Sequence, residues 1–267
     1  DIRTQGRLGF PCYAIDDGYG SRLKVSPYGY GRALDFTLKD GHTIAAFAHL
    51  QKFAPAVEKA LHAEQMRRRN FTCDMNFQPG DLPFKQGETI CYTGDTGAGP
   101  PHLHFEMRDG KGYCNPGLFG FVVPDTIAPM PRKMGLFPLG VEAEINTDYH
   151  PLLLSLTGVG QNRYSVKQTP SVYGPVGLGI AGHDQVDESG NALGFYGLDL
   201  FLDGKKVFSA RYDSFGYYKE KMIDIERDYR LRKVTGDAFH HLWRDPACTV
   251  GFYRKDDDIL DTRDFSP

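Results

Sequence analysis

Turn-forming pairs recur through the first half of the chain, each followed by a short run of aromatic and β-branched residues. Asp17-Gly18, Pro27-Tyr28-Gly29-Tyr30-Gly31, Asp40-Gly41, Pro79-Gly80-Asp81 and Asp109-Gly110 punctuate the segments Tyr13 to Ile15, Ser21 to Ser26, Ala33 to Leu38, Thr43 to Leu50 and Glu88 to Thr93. Asp-Gly between apolar runs is a strong hairpin signal, because both turn positions take a positive φ that these residues tolerate. The pattern therefore predicts an antiparallel, mainly β fold.

One segment departs from it. Pro55 to Arg69 places Val57, Ala60 and Leu61 on one side, starts on a proline and ends on Arg67, Arg68 and Arg69. Proline suits a first helical turn and cations suit the last, so an amphipathic helix is expected between strands. Its arginines read as a solvated helix end rather than a binding patch.

Prolines 124, 129, 131 and 138 mark the expected boundary. They predict a first domain over 1–124, a linker over 125–138 and a second domain over 139–267. In the second domain Leu152 to Leu156, Gly177 to Ala181, Leu198 to Leu202 and Lys206 to Arg211 read as strands. Asp203-Gly204 joins the last two, and the spacing predicts a β-sandwich.

Composition removes several classes. A net charge of −3 over 267 residues leaves no basic face for a nucleic-acid backbone. No apolar run approaches the ~18 residues of a membrane span. Cysteines stand at 12, 73, 91, 114 and 248 with no C-x-x-C, which excludes a zinc ribbon and favours buried small side chains over a bridge. The chain opens on Asp1-Ile2-Arg3, and a mature or truncated form is expected.

The informative element for chemistry is His102-Leu103-His104, beyond the loop Gly94-Asp95-Thr96-Gly97-Ala98-Gly99-Pro100-Pro101. On a strand, residues two apart share a face, so both imidazoles project together. Packing explains such a pair poorly; metal ligation and proton transfer near neutral pH explain it better. His49 ends another predicted strand, and alone it reads as a satisfied or half-exposed histidine. The remaining six histidines share no spacing.

In combination these segments resemble the signature of the M23 peptidases, the lysostaphin/LytM-like zinc endopeptidases of peptidoglycan. Thr93-Gly94-Asp95-Thr96-Gly97, then His102-Leu103-His104-Phe105-Glu106, carries the likeness, with Pro11 to Tyr19, Phe47-Ala48-His49-Leu50 and Pro83 to Ile90 agreeing upstream. The inserted helix and Asp125-Thr126-Ile127-Ala128-Pro129 look most like larger M23 proteins of Bacteroidetes-type bacteria. The likeness covers residues 1–130. It implies a LytM-like antiparallel domain with zinc as cofactor, His104 and Asp1 as ligands, His102 as general base and His49 steadying the oxyanion. It also implies a histidine four residues ahead of Asp1, outside this chain, and the Gly/Pro loop is about one residue shorter than usual.

The resemblance further implies peptidoglycan peptides as substrate and a periplasmic or cell-envelope location, with the second domain contacting an envelope protein. The alternative is a catalytically degenerate module of the same fold that binds or regulates another wall hydrolase. A third reading makes the second half a binding protein, with Asp184, Asp187 and Asp199, or Tyr196 and Tyr212, forming its face.

Overall fold

The computed structural model describes residues 1–187, 189–256 and 259–264. The fold is mainly β and antiparallel. It divides into two compact units, Asp1–Pro116 and Gly117–Pro267.

The first unit contains β1 (Ile2–Arg3), β2 (Pro11–Tyr13), β3 (Gly18–Val25), β4 (Arg32–Leu38), β5 (Ile44–Ala48), β6 (Leu50–Phe53), α1 (Pro55–Arg68), β7 (Cys73–Asn76), β8 (Pro83–Phe84), β9 (Thr89–Thr93), β10 (His102–Arg108) and β11 (Gly112–Cys114). The main sheet runs β11-β10-β5-β4-β3-β7, with β1 on β10 and β8 on β3. A smaller sheet runs β2-β9-β6. The β4–β5 hairpin forms where Asp40-Gly41 predicts it. Gly41 sits at φ 77°, and Asp40 Oδ1 accepts from the amides of His42 and Thr43. Leu34, Phe36, Phe47, Leu50, Phe53 and Ile90 fill the core.

Residues 55–68 form the expected helix. Val57 and Leu61, one turn apart, are fully buried. Glu58 in its first turn accepts from the Phe53 amide at 2.9 Å and from the Arg32 guanidinium, which fastens the helix to β6 and β4. Arg67 and Arg68 are exposed and both pair with Glu64, as a solvated helix end would.

Two expectations are corrected. The run Thr43 to Leu50 is not one strand, because His49 takes a left-handed conformation (φ 59°) that separates β5 from β6. The stretch 125–138 is not wholly linker. Met130–Pro138 is a strand between Leu152–Ser155 and Pro175–His183 in a five-stranded sheet of the second unit. Its prolines mislead because Pro131 stands at a register shift, where a missing amide costs no ladder bond, and Pro138 ends the strand.

In the second unit, Gly197–Leu202 and Lys205–Arg211 form the hairpin expected at Asp203-Gly204, and both turn residues have positive φ. With Tyr253–Asp256 they make a three-stranded sheet. Val176 and Leu178 of the larger sheet and Leu200 and Phe208 of the smaller one line the same small void.

Candidate active site

β10 divides its side chains by parity. Leu103 and Met107 are buried in the core, while His102, His104, Glu106 and Arg108 share the opposite face. Pairing of β5 with β10 sets Ala48 opposite His104. The chain then turns at His49, whose amide donates to the Tyr30 carbonyl at 2.9 Å. The turn brings the His49 ring centroid to 4.6 Å from that of His102 and 5.7 Å from that of His104. A straight strand would have carried this side chain elsewhere, so the left-handed residue builds the cluster.

Asp1 arrives by backbone pairing. Ile2 and Arg3 oppose Leu103 and His102, and the Thr4 hydroxyl donates to the Pro101 carbonyl at 3.1 Å. A terminal aspartate would ordinarily be frayed and solvated. Here its carboxylate lies 2.9 Å from His104 Nδ1 and 3.8 Å from His102 Nε2. The structure thus brings together all four residues singled out in the sequence.

Fixed acceptors orient the three imidazoles. His49 Nδ1 donates to the Thr96 carbonyl at 2.9 Å and His102 Nδ1 to the Pro100 carbonyl at 2.7 Å. A carbonyl can only accept, so each neutral ring presents its Nε2 lone pair. His104 is held the other way round. Its Nε2 donates to Glu106 Oε1 at 2.5 Å, and its Nδ1 is hydrogen-bonded to Asp1 Oδ1 at 2.9 Å.

Glu106 is the member of the cluster that the sequence reading left without a role. Tyr30 donates to its Oε1 at 2.5 Å, and Arg108 binds its other oxygen at 2.6 Å. Burial opposes ionisation of Glu106, but the bonds from His104 and Tyr30 and the charge of Arg108 outweigh it and bring the carboxyl down to about 2. Arg108 in turn reaches Asp35 at 3.4 Å. Tyr30 also lays its ring 5.0 Å from that of His104. Strand parity could have revealed Glu106, since it is the next residue on the histidine face. Burial pushes the His49 imidazole below the ordinary histidine value, against its bond to Thr96.

Asp1 and His104 fit a zinc ion as part of its ligand set. They are the right donor types, they face each other, and Glu106 braces the far nitrogen of His104 as carboxylates commonly brace metal-bound histidines. Catalytic zinc ordinarily takes three protein donors. Among the described residues no group of three histidine, cysteine, aspartate or glutamate side chains is placed to hold a metal.

Of the acidic and aromatic face considered for the second half, Asp184 and Tyr196 line one cavity, and the other three side chains are held by neighbours. Asp199 is bound by Arg211, Lys206 and Ser209, Asp187 holds Thr126, and Tyr212 bonds Glu226. His240 is buried against that same glutamate, at 2.8 Å.

No protein-family model and no curated protein matches the chain. Among solved structures it is similar to the catalytic domain of the antimicrobial peptidase lysostaphin from Staphylococcus simulans, at 25% identity. That match covers 42% of this chain and 71% of the other, with a TM-score of 0.31. A mutant catalytic domain of the prophage-encoded M23 protein EnpA from Enterococcus faecalis is similar at 20% identity, over 42% and 72%, with a TM-score of 0.30. A second structure of the antimicrobial peptidase lysostaphin from Staphylococcus simulans is similar at 18%, over 71% and 85%, with a TM-score of 0.29. The geometry of the histidine cluster, not these likenesses, carries the functional reading.

Proposed function

We propose that the first unit is a zinc-dependent endopeptidase of the M23 kind, which hydrolyses peptide bonds in bacterial peptidoglycan in the periplasm or cell envelope. The second unit is then an accessory domain, read as a β-sandwich, that contacts an envelope protein. One observation carries the reading: Asp1, His49, His102 and His104, from three separate stretches of chain, converge, with Nε2 left open on His49 and His102 and Nδ1 of His104 paired with Asp1.

In this reading Asp1 and His104 hold the metal together with a donor from outside residues 1–267. Bound zinc would polarise the scissile carbonyl and acidify a water. The chain's own groups do the rest. His102, oriented by Pro100, accepts a proton at Nε2 and returns it to the leaving amine. His49 would steady the oxyanion by donating from Nε2, which requires a proton taken from solvent because Nδ1 donates to Thr96, and burial works against that form. Glu106 holds the His104 proton on Nε2, so that Nδ1 would be the nitrogen offered to a metal in place of its bond to Asp1.

The alternative is a degenerate module of the same fold that binds or regulates another wall hydrolase. Zinc titration against a chromogenic chelator, on the chain extended upstream of Asp1 to include the expected histidine, separates the two. The peptidase reading expects about one zinc per chain, lost in His104→Ala. A protein that takes up no zinc supports the regulator.

A further inference from the structure

β2 and β9 both lead to the histidine cluster. β2 follows the segment that carries Asp1, and β9 runs into the loop whose Thr96 carbonyl holds His49. The backbone joins them on either side of one residue pair, through Thr93 to Phe10 at 2.9 Å and Ala14 to Glu88 at 2.8 Å. That pair is Cys12 and Cys91, which are direct cross-strand partners. Both are buried, at 6% and 0% exposed. Directly opposed residues in an antiparallel pair have Cα atoms about 4.5–5.5 Å apart and side chains on one face, within the span a disulfide bridges. The Cys91 thiol donates a hydrogen bond to the Cys12 sulfur, so the two side chains already meet. The other cysteines have no such partner in register: Cys73 opposes Val25, and Cys114 opposes Met107.

We propose that Cys12 and Cys91 are a disulfide-forming site that ties β2 to β9. The inference does not depend on the peptidase reading. The chemistry is exchange with an external disulfide, either a small molecule or a thiol–disulfide oxidoreductase. The Cys12 thiolate attacks one sulfur of the oxidant, which releases one thiol and leaves a mixed disulfide on Cys12. The Cys91 thiolate then attacks the Cys12 sulfur and releases the second thiol. One S–S bond forms in the chain and one breaks in the oxidant, and the two cysteine protons leave with the two released thiols. The hydrogen bond from Cys91 lowers the Cys12 thiol while burial raises Cys91, which makes Cys12 the attacking and Cys91 the resolving sulfur. The bridge would cross-link the Asp1 segment to the strand that feeds the His49 anchor, without touching a catalytic side chain.

The test equilibrates the full chain with oxidised glutathione, alkylates the remaining thiols and maps peptides without reduction. The expected result is loss of two of the five thiols and one linked peptide containing Cys12 and Cys91, separated again by dithiothreitol. The unfolding midpoint of the first unit should rise on oxidation and fall back on reduction. A chain carrying Cys73→Ala, Cys114→Ala and Cys248→Ala should behave identically, and Cys12→Ser should lose the linked peptide. Five titratable thiols after both oxidation of the folded chain and refolding in redox buffer would overturn the proposal. So would linkage among other cysteines, or an adduct that stops at glutathionylated Cys12.

Discussion

Glu106 and His104 stand two residues apart on one face of β10, and the carboxylate accepts a hydrogen bond from the imidazole Nε2 at 2.5 Å. That bond occupies Nε2, so Nδ1 is the nitrogen that meets Asp1, at 2.9 Å. Glu106→Gln keeps the shape and removes the charge. It is expected to weaken zinc binding by about 10–100-fold, as loss of a metal-histidine's carboxylate partner typically does. A chelator competition assay measures this, with the circular dichroism spectrum unchanged. Equal affinity would show that the carboxylate does not orient the donor.

His102 and His104 should separate by readout although they share a strand face. His102→Ala is expected to lower kcat by about 10²–10⁴ with zinc binding retained, because its part is proton transfer. His104→Ala should lose the metal and the activity together. If the first variant loses zinc as well, His102 is a ligand and the assigned roles are exchanged.

Two loops meet at glycines beside the site. A Cβ on Gly97, at φ 85°, would lie 2.2 Å from the Gly29 carbonyl oxygen and 2.5 Å from the Gly31 nitrogen. Gly97→Ala should therefore destabilise the first unit by about 2–4 kcal/mol, from backbone strain plus overpacking. It should also displace Thr96 from His49. Gly110→Ala meets nothing within 4 Å and serves as the control, with a change of about 0.5 kcal/mol or less. Urea denaturation of both variants measures the contrast, and equal midpoints would contradict it.

The second unit should lose stability in mild acid. His241 is 8% exposed, stacks 3.8 Å from the Trp243 ring, and has neither ring nitrogen hydrogen-bonded. Burial lowers its pKa, although Asp228, Glu226 and Asp245 pull the other way. Below the ordinary histidine value of 6.5 the unfolded chain then binds a proton that the folded chain refuses. The stability contribution is complete above that pH and is lost as the pH falls through the lowered folded value. Guanidinium unfolding from pH 8 to pH 5 should show the decline, and His241→Phe should flatten it. A wild-type profile that does not change over this interval would refute the assignment.

Much of the first unit was legible because its signals are local. Asp40-Gly41 specifies its turn within four residues, and the alternation in residues 102–108 fixes which side chains share a face. What local pattern could not reveal was the bend at His49. A left-handed histidine is held by Tyr30 and Thr96, 19 and 47 residues away, and no propensity at position 49 announces it. Met130–Pro138 was obscured for the opposite reason: its prolines are local breakers, made harmless by a register shift that only strand pairing defines. Glu106 was visible in the sequence, but its role required seeing that Tyr30 and Arg108 hold it.

The most direct measurement is release of new amino groups when the protein is incubated with purified peptidoglycan and zinc. Time-dependent release at peptide bonds of the stem or cross-link is expected. Chelation should abolish it, renewed zinc should restore it, and His102→Ala should reduce it by at least about 10². Absence of release from zinc-loaded protein, or release undiminished in His102→Ala, would contradict the account.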